Sequence, residues 1–436
     1  MVSQAVILAA GKNERFWPLG NSKHKCMYEI MGKPILFYTI QELKKAGIKD
    51  IVIVISPKEC SIQNYFGSGK RFGVRIQYAV QQEAKGMGDG LLSAKKYIND
   101  TFYLLNASSF ECGDVVRQLQ KQYKKTKGVV LSCTVTQEPW LYGILSLTGD
   151  KVTSLIEKPA RGKEPGNKKV IGIYLLTKDF VSTLERMPQS ENSLEISLDA
   201  HAKRSTVSAV LLKEYHAPSL KYPWHLFATN KFLMDRFMKK HRGKNVKIHK
   251  TAIIEGDVWI EDDVKVFEYA VIKGPCYIGK DSIIGTGALV RQYASLGEKV
   301  LVGFHTELKH CIVGNDVEFH NNYFGDSIID DGCRFGAGTI TANRRLDRGT
   351  VKSMVKANKV DTCLCFLGTI VGEHSKTGIH TDIMPGVKIG SCTNIGANSV
   401  VLRDVPDNTL FYTEFKQTVQ KQLRRKGNPA RANHCL

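Results

Sequence analysis

The sequence predicts an α/β domain over residues 1–240, a parallel β-helix over residues 246–406 and a basic tail over residues 407–436. Two patterns predict this. From Ile248 through Ile254, Ile260 and on to Leu308, every sixth residue is Ile, Leu or Val, and the spacing returns at Val371, Thr377, Ile383, Ile389, Ile395 and Val401. Before residue 240, short apolar runs alternate with helical patterns. At about 100° per residue, six residues of an α-helix do not return to one face. A flat triangular coil does return: each six-residue side turns one aliphatic inward, three sides close a turn, and stacked turns bury a column that no single turn buries alone.

A chain of 436 residues with 42% hydrophobic and 24% charged residues is that of a globular protein of two or three domains. No apolar run approaches the ~20 residues that span a membrane. The opening MVSQAVILAAG lacks a basic leader and reads as a strand, so no signal peptide is expected. Eleven Cys without a CxxC pair suit a reducing cytosol, most of them as small core residues. The net charge of +20 fits nucleic acid, an anionic membrane or phosphorylated substrates. Lys416, Lys421, Arg424, Arg425, Lys426 and Arg431 follow Glu414 with no acid among them. No nucleic-acid-binding signature accompanies them, so a solvated tail is expected rather than a nucleic-acid partner.

In chain order, Ala5–Leu8 is an apolar strand that ends in the small turn Ala9-Ala10-Gly11, followed by Lys12, Arg15 and Lys25. Such a turn offers backbone N–H groups and positive charge to phosphates. A helical pattern runs from Pro34 to Gly47, and Ile51–Ile55 is a continuous apolar strand. Further strands are read at Gly73–Ala79, Phe102–Leu105, Gly128–Thr136 and Val170–Leu176. The alternation predicts a mostly parallel sheet covered by helices, with ligands at the carboxyl ends of its strands. Lys239–Lys244 reads as a basic linker, and Glu414–Leu423 as a short amphipathic helix capping the β-helix.

Leu8-Ala9-Ala10-Gly11 with Arg15, Pro18-Leu19 and Gly32-Lys33-Pro34 resembles the signature of sugar-1-phosphate nucleotidylyltransferases. Gln81 with Gly86, Tyr142-Gly143, Glu157-Lys158-Pro159 and Gly172-Ile173-Tyr174 extend it. With the six-residue repeats behind it, the whole chain is similar to the bifunctional sugar-1-phosphate nucleotidylyltransferase/acetyltransferases, including their archaeal members. The resemblance implies a Rossmann-like N-terminal domain and a left-handed β-helix that assembles as a homotrimer with acetyl sites between subunits. It implies nucleotide or sugar contacts at Ala10, Gly11, Arg15, Lys25, Gln81, Gly86, Gly143 and Glu157.

The family's first reaction uses Mg²⁺, normally held by a Gly-Asp after the strand that here reads Tyr103-Leu104-Leu105-Asn106. This chain has Ala107-Ser108, and a hydroxyl holds a hard cation poorly. Asp114 lies beyond the strand end. Asn13, Met87 and His225 also depart from the family pattern. No metal ligand is assigned; Asn230 alone resembles the Asn that some members use. The N-terminal domain is therefore expected to be weak or inactive, with Mg²⁺ needed only if it works.

The six-residue spacing fails after Leu308, and there the resemblance to the family's acetyltransferase site is densest. His320 stands where the family has its catalytic His, three residues before Tyr323 and five before Gly325-Asp326. Arg291, Lys309, Tyr323 and Asn343 match the positions that hold an amino-sugar phosphate; Arg334 departs from the family's Asn. Acetyl-CoA is implied as donor, beside Ala337, Gly338 and His380. The residue types suit this chemistry. A sugar amine must shed a proton as its C–N bond forms, and His, of pKa about 6.5, suits that task. Arg and Lys suit a phosphate. The Gly336–Thr339 backbone N–H groups suit an oxyanion. His305, His310 and His374 have no such support. The interruption from Asn343 to Asp361 carries Arg344, Arg345, Arg348, Lys352 and Lys356, which suit phosphates or simply solvent. The main expectation is an amino-sugar-1-phosphate N-acetyltransferase. The alternatives are a fully bifunctional enzyme that also uses a nucleoside triphosphate, and a nucleotide-sugar-sensing scaffold.

Overall fold

The computed structural model describes residues 2–21 and 23–421. Its N-terminal half is one nine-stranded sheet with helices on both faces. In spatial order the strands are Arg75–Val80, Asp50–Ile55, Gln4–Ala9, Thr101–Asn106, Lys168–Thr177, Val129–Val135, Val207–Leu211, Lys151–Glu157 and Gly143–Thr148. The first four run parallel, as the continuous apolar runs predict. The sheet as a whole is mixed rather than mostly parallel. Lys168–Thr177 runs antiparallel to both its neighbours, and Gly143–Thr148 pairs with Lys151–Glu157 as a hairpin. Two intervening residues leave no room for a crossover helix, so that pair must reverse. The strands Gly143–Thr148, Lys151–Glu157 and Val207–Leu211 were not read from the sequence. Lys151–Glu157 does alternate exposed and buried positions, a signal that was present.

The second half is a β-helix of three parallel sheets of eight, nine and eight strands. Lys247, Lys265, Ile283 and Leu301 pair in succession at eighteen-residue steps, three sixes per coil. The aliphatic column is its buried core. Pairing begins at His241–Arg242 and ends at Leu410–Phe411, a few residues beyond the 246–406 window at each end; His241 and Arg242 are strand, not linker. Where the sequence spacing fails, the coil shortens. Leu308 pairs with Phe324 and Val313 with Ile329, sixteen residues on. Phe319, Phe324 and Phe335 fill that level, with ring centroids 4.6–5.2 Å apart. Ile328 then pairs with Ile370 across an excursion that carries the hairpin Lys352–Val355/Asn358–Asp361.

The two halves share an apolar cluster that includes Phe16, Leu19, Trp224, Ile312, Ile328 and Leu367. Polar contacts tie the loop after the first strand to the β-helix: Lys23 pairs with Asp330 at 3.0 Å and Asp331 at 2.9 Å, and Tyr28 donates to Asp330 at 2.9 Å. Gly32 lies at φ +63 with Tyr277 so close that an added Cβ would stand 2.2 Å from its hydroxyl. The signature glycine is thus demanded here by domain packing.

The helix read over Glu414–Leu423 does not form in its described part. Residues 412–421 carry no secondary structure and are exposed, and an unpacked segment this short is a poor helix in water. Arg424, Arg425, Lys426 and Arg431 lie outside the described residues. Among the described residues all ten Cys are free, six of them buried, and no helix is long and apolar enough to cross a membrane.

Candidate active sites

At the N-terminal sheet, the candidate residues gather at one end. Ala10 and Gly11 leave the strand Gln4–Ala9, and Gln81 leaves the parallel strand Arg75–Val80. Gln81 donates to the Gly86 carbonyl at 3.1 Å and to Asp89 at 2.7 Å, so it braces its own loop. Gly143 stands opposite Glu157, and Gly172 adjoins Asn106. Gly11 has no atom within 4 Å of an added Cβ and no left-handed φ. The protein itself does not require glycine there, which leaves the close approach of a ligand as its physical use. Arg15 is exposed and makes no hydrogen bond or ion pair among the described residues. Lys25 donates to the Leu220 carbonyl at 3.0 Å. Burial lowers its pKa, partly offset by Cys26, and the Arg15 charge lowers it further. Two neighbouring cations without a carboxylate suit an anion.

These residues do not fit a protein-held Mg²⁺. Asp114 is on the helix Cys112–Thr126 and pairs with Arg117. Asn230, the one metal candidate from sequence, is fully buried at the domain boundary and donates to the Tyr293 carbonyl at 2.8 Å. It is a packing residue, because the helix His225–Phe237 turns it toward the β-helix. Among the described residues no three His, Cys, Asp or Glu are grouped to hold a metal ion.

The second site lies on one face of the β-helix, at the shortened coil. Leu289–Val290, Glu307–Lys309, Tyr323–Gly325 and Ile340–Thr341 are neighbouring strands there. They bring Arg291, Lys309, Tyr323 and Asn343 together, as expected from the sequence. Arg291 pairs with Glu307 at 2.9 Å. Tyr323 is partly buried, which raises its phenol pKa. His320 is exposed. Its backbone N–H donates to Asn322 Oδ1 at 2.7 Å, while its imidazole makes no hydrogen bond among the described residues. Arg334 is taken up by Asp316 and Glu318.

Two residues here were missed as functional. Asp326 is buried and accepts from Lys309 at 2.6 Å, from Asn343 at 2.6 Å and faces His310 Nδ1 at 3.0 Å. His310 packs its ring against Phe227 of the first half, centroids 5.0 Å apart. Gly325-Asp326 was visible in the sequence as a landmark, but partners sixteen and seventeen residues away leave no local pattern. Burial works against the Asp326 carboxylate, yet the hydrogen bonds from His310 and Lys309 outweigh it and hold the pKa below the usual value. Its contribution is complete above pH about 4 and fades as pH falls through the depressed value. Asp326→Asn removes the charge that organises Lys309 and Asn343. It is expected to lower kcat/KM for acetyl transfer about tenfold or more, read by thiol release, and to lose that acid limb in stability.

Ala337, Gly338 and His380 stand together: His380 N–H donates to the Ala337 carbonyl at 2.9 Å, and a Cβ on Gly338 would meet the His380 ring at 2.6 Å. His305 over Gly287 and His374 over Gly332 repeat this stack, so it is also a feature of the coil corners. The oxyanion expectation narrows. The N–H groups of Gly336, Gly338 and Thr339 bond to Thr377, Asn321 and Gly336 within the coils, which leaves the Ala337 N–H. Ala337 is exposed and its N–H has no partner among the described residues, which suits a thioester carbonyl.

The comparisons with known proteins agree on both halves. Residues 4–215 match the family model described as nucleotidyl transferase, and residues 257–292 match bacterial transferase hexapeptide (six repeats). A protein of Methanocaldococcus jannaschii named bifunctional protein GlmU is 36% identical over 413 residues, covering 94% of this chain and 97% of its own. A Sulfurisphaera tokodaii protein named bifunctional sugar-1-phosphate nucleotidylyltransferase/acetyltransferase is 34% identical over 415 residues, covering 94% and 99%. Among solved structures, a UDP-glucose pyrophosphorylase complexed with UDP-glucose aligns with 49% of this chain and 91% of its own, at 25% identity and a TM-score of 0.44. The expectation of a weak or inactive N-terminal domain finds no support in these relatives. They favour the bifunctional alternative.

Proposed function

Since this chain belongs to the bifunctional sugar-1-phosphate nucleotidylyltransferase/acetyltransferase family, we propose that it carries both activities. The β-helix acetylates the amine of an amino-sugar 1-phosphate, and the N-terminal sheet joins the sugar phosphate to a nucleotide. The gathering of Arg291, Lys309, Tyr323 and Asn343 on one face, with His320 exposed three residues before Tyr323 and its imidazole unpartnered among the described residues, supports the first activity.

Acetyl-CoA, when bound beside Ala337, Gly338 and His380, supplies the acetyl group as a thioester. Arg291 and Lys309 hold the sugar phosphate, trading part of their pairing with Glu307 and Asp326 for it. Tyr323 and Asn343 hold sugar hydroxyls. An imidazole nitrogen of His320 takes the proton that the amine sheds as the C–N bond forms, and returns it to the coenzyme A sulfur as the thioester C–S bond breaks and the free thiol leaves. The Ala337 N–H faces the charge that grows on the carbonyl oxygen. The exposed His320 also suits a site closed by a neighbouring subunit, and a homotrimer built through the β-helix is the proposed assembly, to be checked by light scattering. Thiol release from acetyl-CoA with glucosamine 1-phosphate tests the activity. A folded protein that turns over no amino-sugar phosphate would overturn it.

For the second activity, Arg15 and Lys25 supply positive charge to the phosphates of a nucleoside triphosphate while the sugar phosphate attacks its α-phosphate. The expected result is pyrophosphate release from the unmodified chain, supplied with Mg²⁺, a sugar 1-phosphate and the four common triphosphates. Ser108→Asp adds a carboxylate at the strand end and is expected to raise the rate. No release from either protein would leave acetyl transfer as the sole activity.

A further inference from the structure

The excursion between Asn343 and Leu367 touches both sites. Its root is at the acetyl site: Asn343 donates to Asp326, and Lys309 and Arg344 lie over the Phe366 ring at 4.6 and 4.9 Å. Its tip is at the other site. Lys356, at φ +55 in the hairpin turn, pairs with Glu14 in the loop that leaves the first strand. Lys388 is buried below; it donates to the Met354 carbonyl on the hairpin and at 3.4 Å to the Trp17 carbonyl on the loop. The two walls are therefore tied to one base.

Between them lies a cavity of about 600 Å³, lined by Arg15, Trp17, Met354, Lys356, Lys388 and Asp404 among others. Lys388 is matched by Asp404 at 3.8 Å. Among the lining residues Arg15 and Lys356 are cations beside one carboxylate, Glu14, which Lys356 pairs with and Lys12 approaches at 3.9 Å; Lys25, close to Arg15, pairs with no acid among the described residues. Glu14 is exposed and its pKa is lowered first by the hydrogen bond from Lys356 and then by the cations around it. The local surplus of positive charge, in a cavity open to solvent and adjoining the glycine turn, suits a polyphosphate.

We propose that this cavity receives the polyphosphate tail of the nucleoside triphosphate, and that Lys356, carried by the β-helix half, grips it opposite Arg15 after exchanging Glu14 for phosphate oxygens. This rests on the nucleotidyl-transfer reading and adds to it a phosphate ligand from the other domain.

Calorimetric titration of the full chain with inorganic tripolyphosphate, and with each of the four triphosphates, tests it. Lys356→Ala is expected to weaken binding about tenfold or more. Glu14→Gln frees Lys356 and removes a negative charge, and is expected to tighten it. Lys359→Ala, an exposed charge on the same hairpin, is expected to leave it unchanged. Shifts of opposite sign in the first two variants separate charge from damage to the fold. Triphosphate binding that is equal in the unmodified protein and Lys356→Ala overturns the proposal and leaves nucleotidyl transfer standing. No binding of tripolyphosphate or any triphosphate by the unmodified protein overturns both.

Discussion

His320→Ala is expected to slow acetyl transfer to glucosamine 1-phosphate by about a hundredfold or more, the range a positioned general base contributes. The measurement is thiol release from acetyl-CoA at saturating substrate, with the variant's assembly checked by light scattering. The side chain is exposed and its imidazole has no hydrogen-bond partner among the described residues, so its loss costs little stability. A fall in kcat with little change in KM would place the imidazole at the proton transfer. An unchanged rate would remove His320 from the chemistry and return it to the class of corner residues, such as His305 and His374, that merely stack on glycine.

The largest effect on stability is expected at Lys23. Its ammonium is largely buried between Asp330 and Asp331, and Tyr28 adds a hydrogen bond to Asp330. Burial works against the charged lysine, but the two carboxylates outweigh it and raise its pKa above the ordinary value. A group of raised pKa contributes fully below its unfolded value, about 10.4, and loses that contribution only as pH rises through the folded value. The lysine thus carries its charge at pH 7, while burial raises the Asp330 carboxyl above its usual pKa even with Lys23 beside it. Lys23→Met keeps the stem and leaves Asp330 buried with its main counter-charge gone. The expected cost is about 3–5 kcal/mol, measured by urea unfolding at neutral pH. Because this contact joins the halves, the variant is also expected to unfold in two steps, the signature loop releasing before the coil. A single transition with an unchanged midpoint would show that the apolar cluster around Phe16 and Ile328 suffices to hold the domains together.

The contrast between the two residues bears on what was legible beforehand. His320 was named from its neighbours in the chain, because Tyr323 and Gly325-Asp326 follow it at short fixed intervals. Lys23 was passed over, since its partners lie more than three hundred residues away and nothing near it signals an ion pair. Asp326, which organises Lys309, His310 and Asn343, was legible only as part of the Gly325-Asp326 landmark, because those partners lie sixteen or seventeen residues away. As a lone amide late in the N-terminal half, Asn230 matched a metal ligand. The packing of its helix against Tyr293 makes it an interface residue instead.

The sequence by itself determined the β-helix, because a repeat of six is a local rule written out many times and each aliphatic reports its own inward position. It also placed the glycine turn after the first strand and the broken repeat that marks a shortened coil, where the proposed acetyl site lies. Only the tertiary structure decided which charges meet. It reversed Lys168–Thr177 in the sheet, consumed three of the four amides offered to an oxyanion, and carried Lys356 across to Glu14. The physical reason is range. Periodicity and turn chemistry act within a few residues, whereas a buried ion pair or a shared cavity depends on how two separately folded surfaces dock.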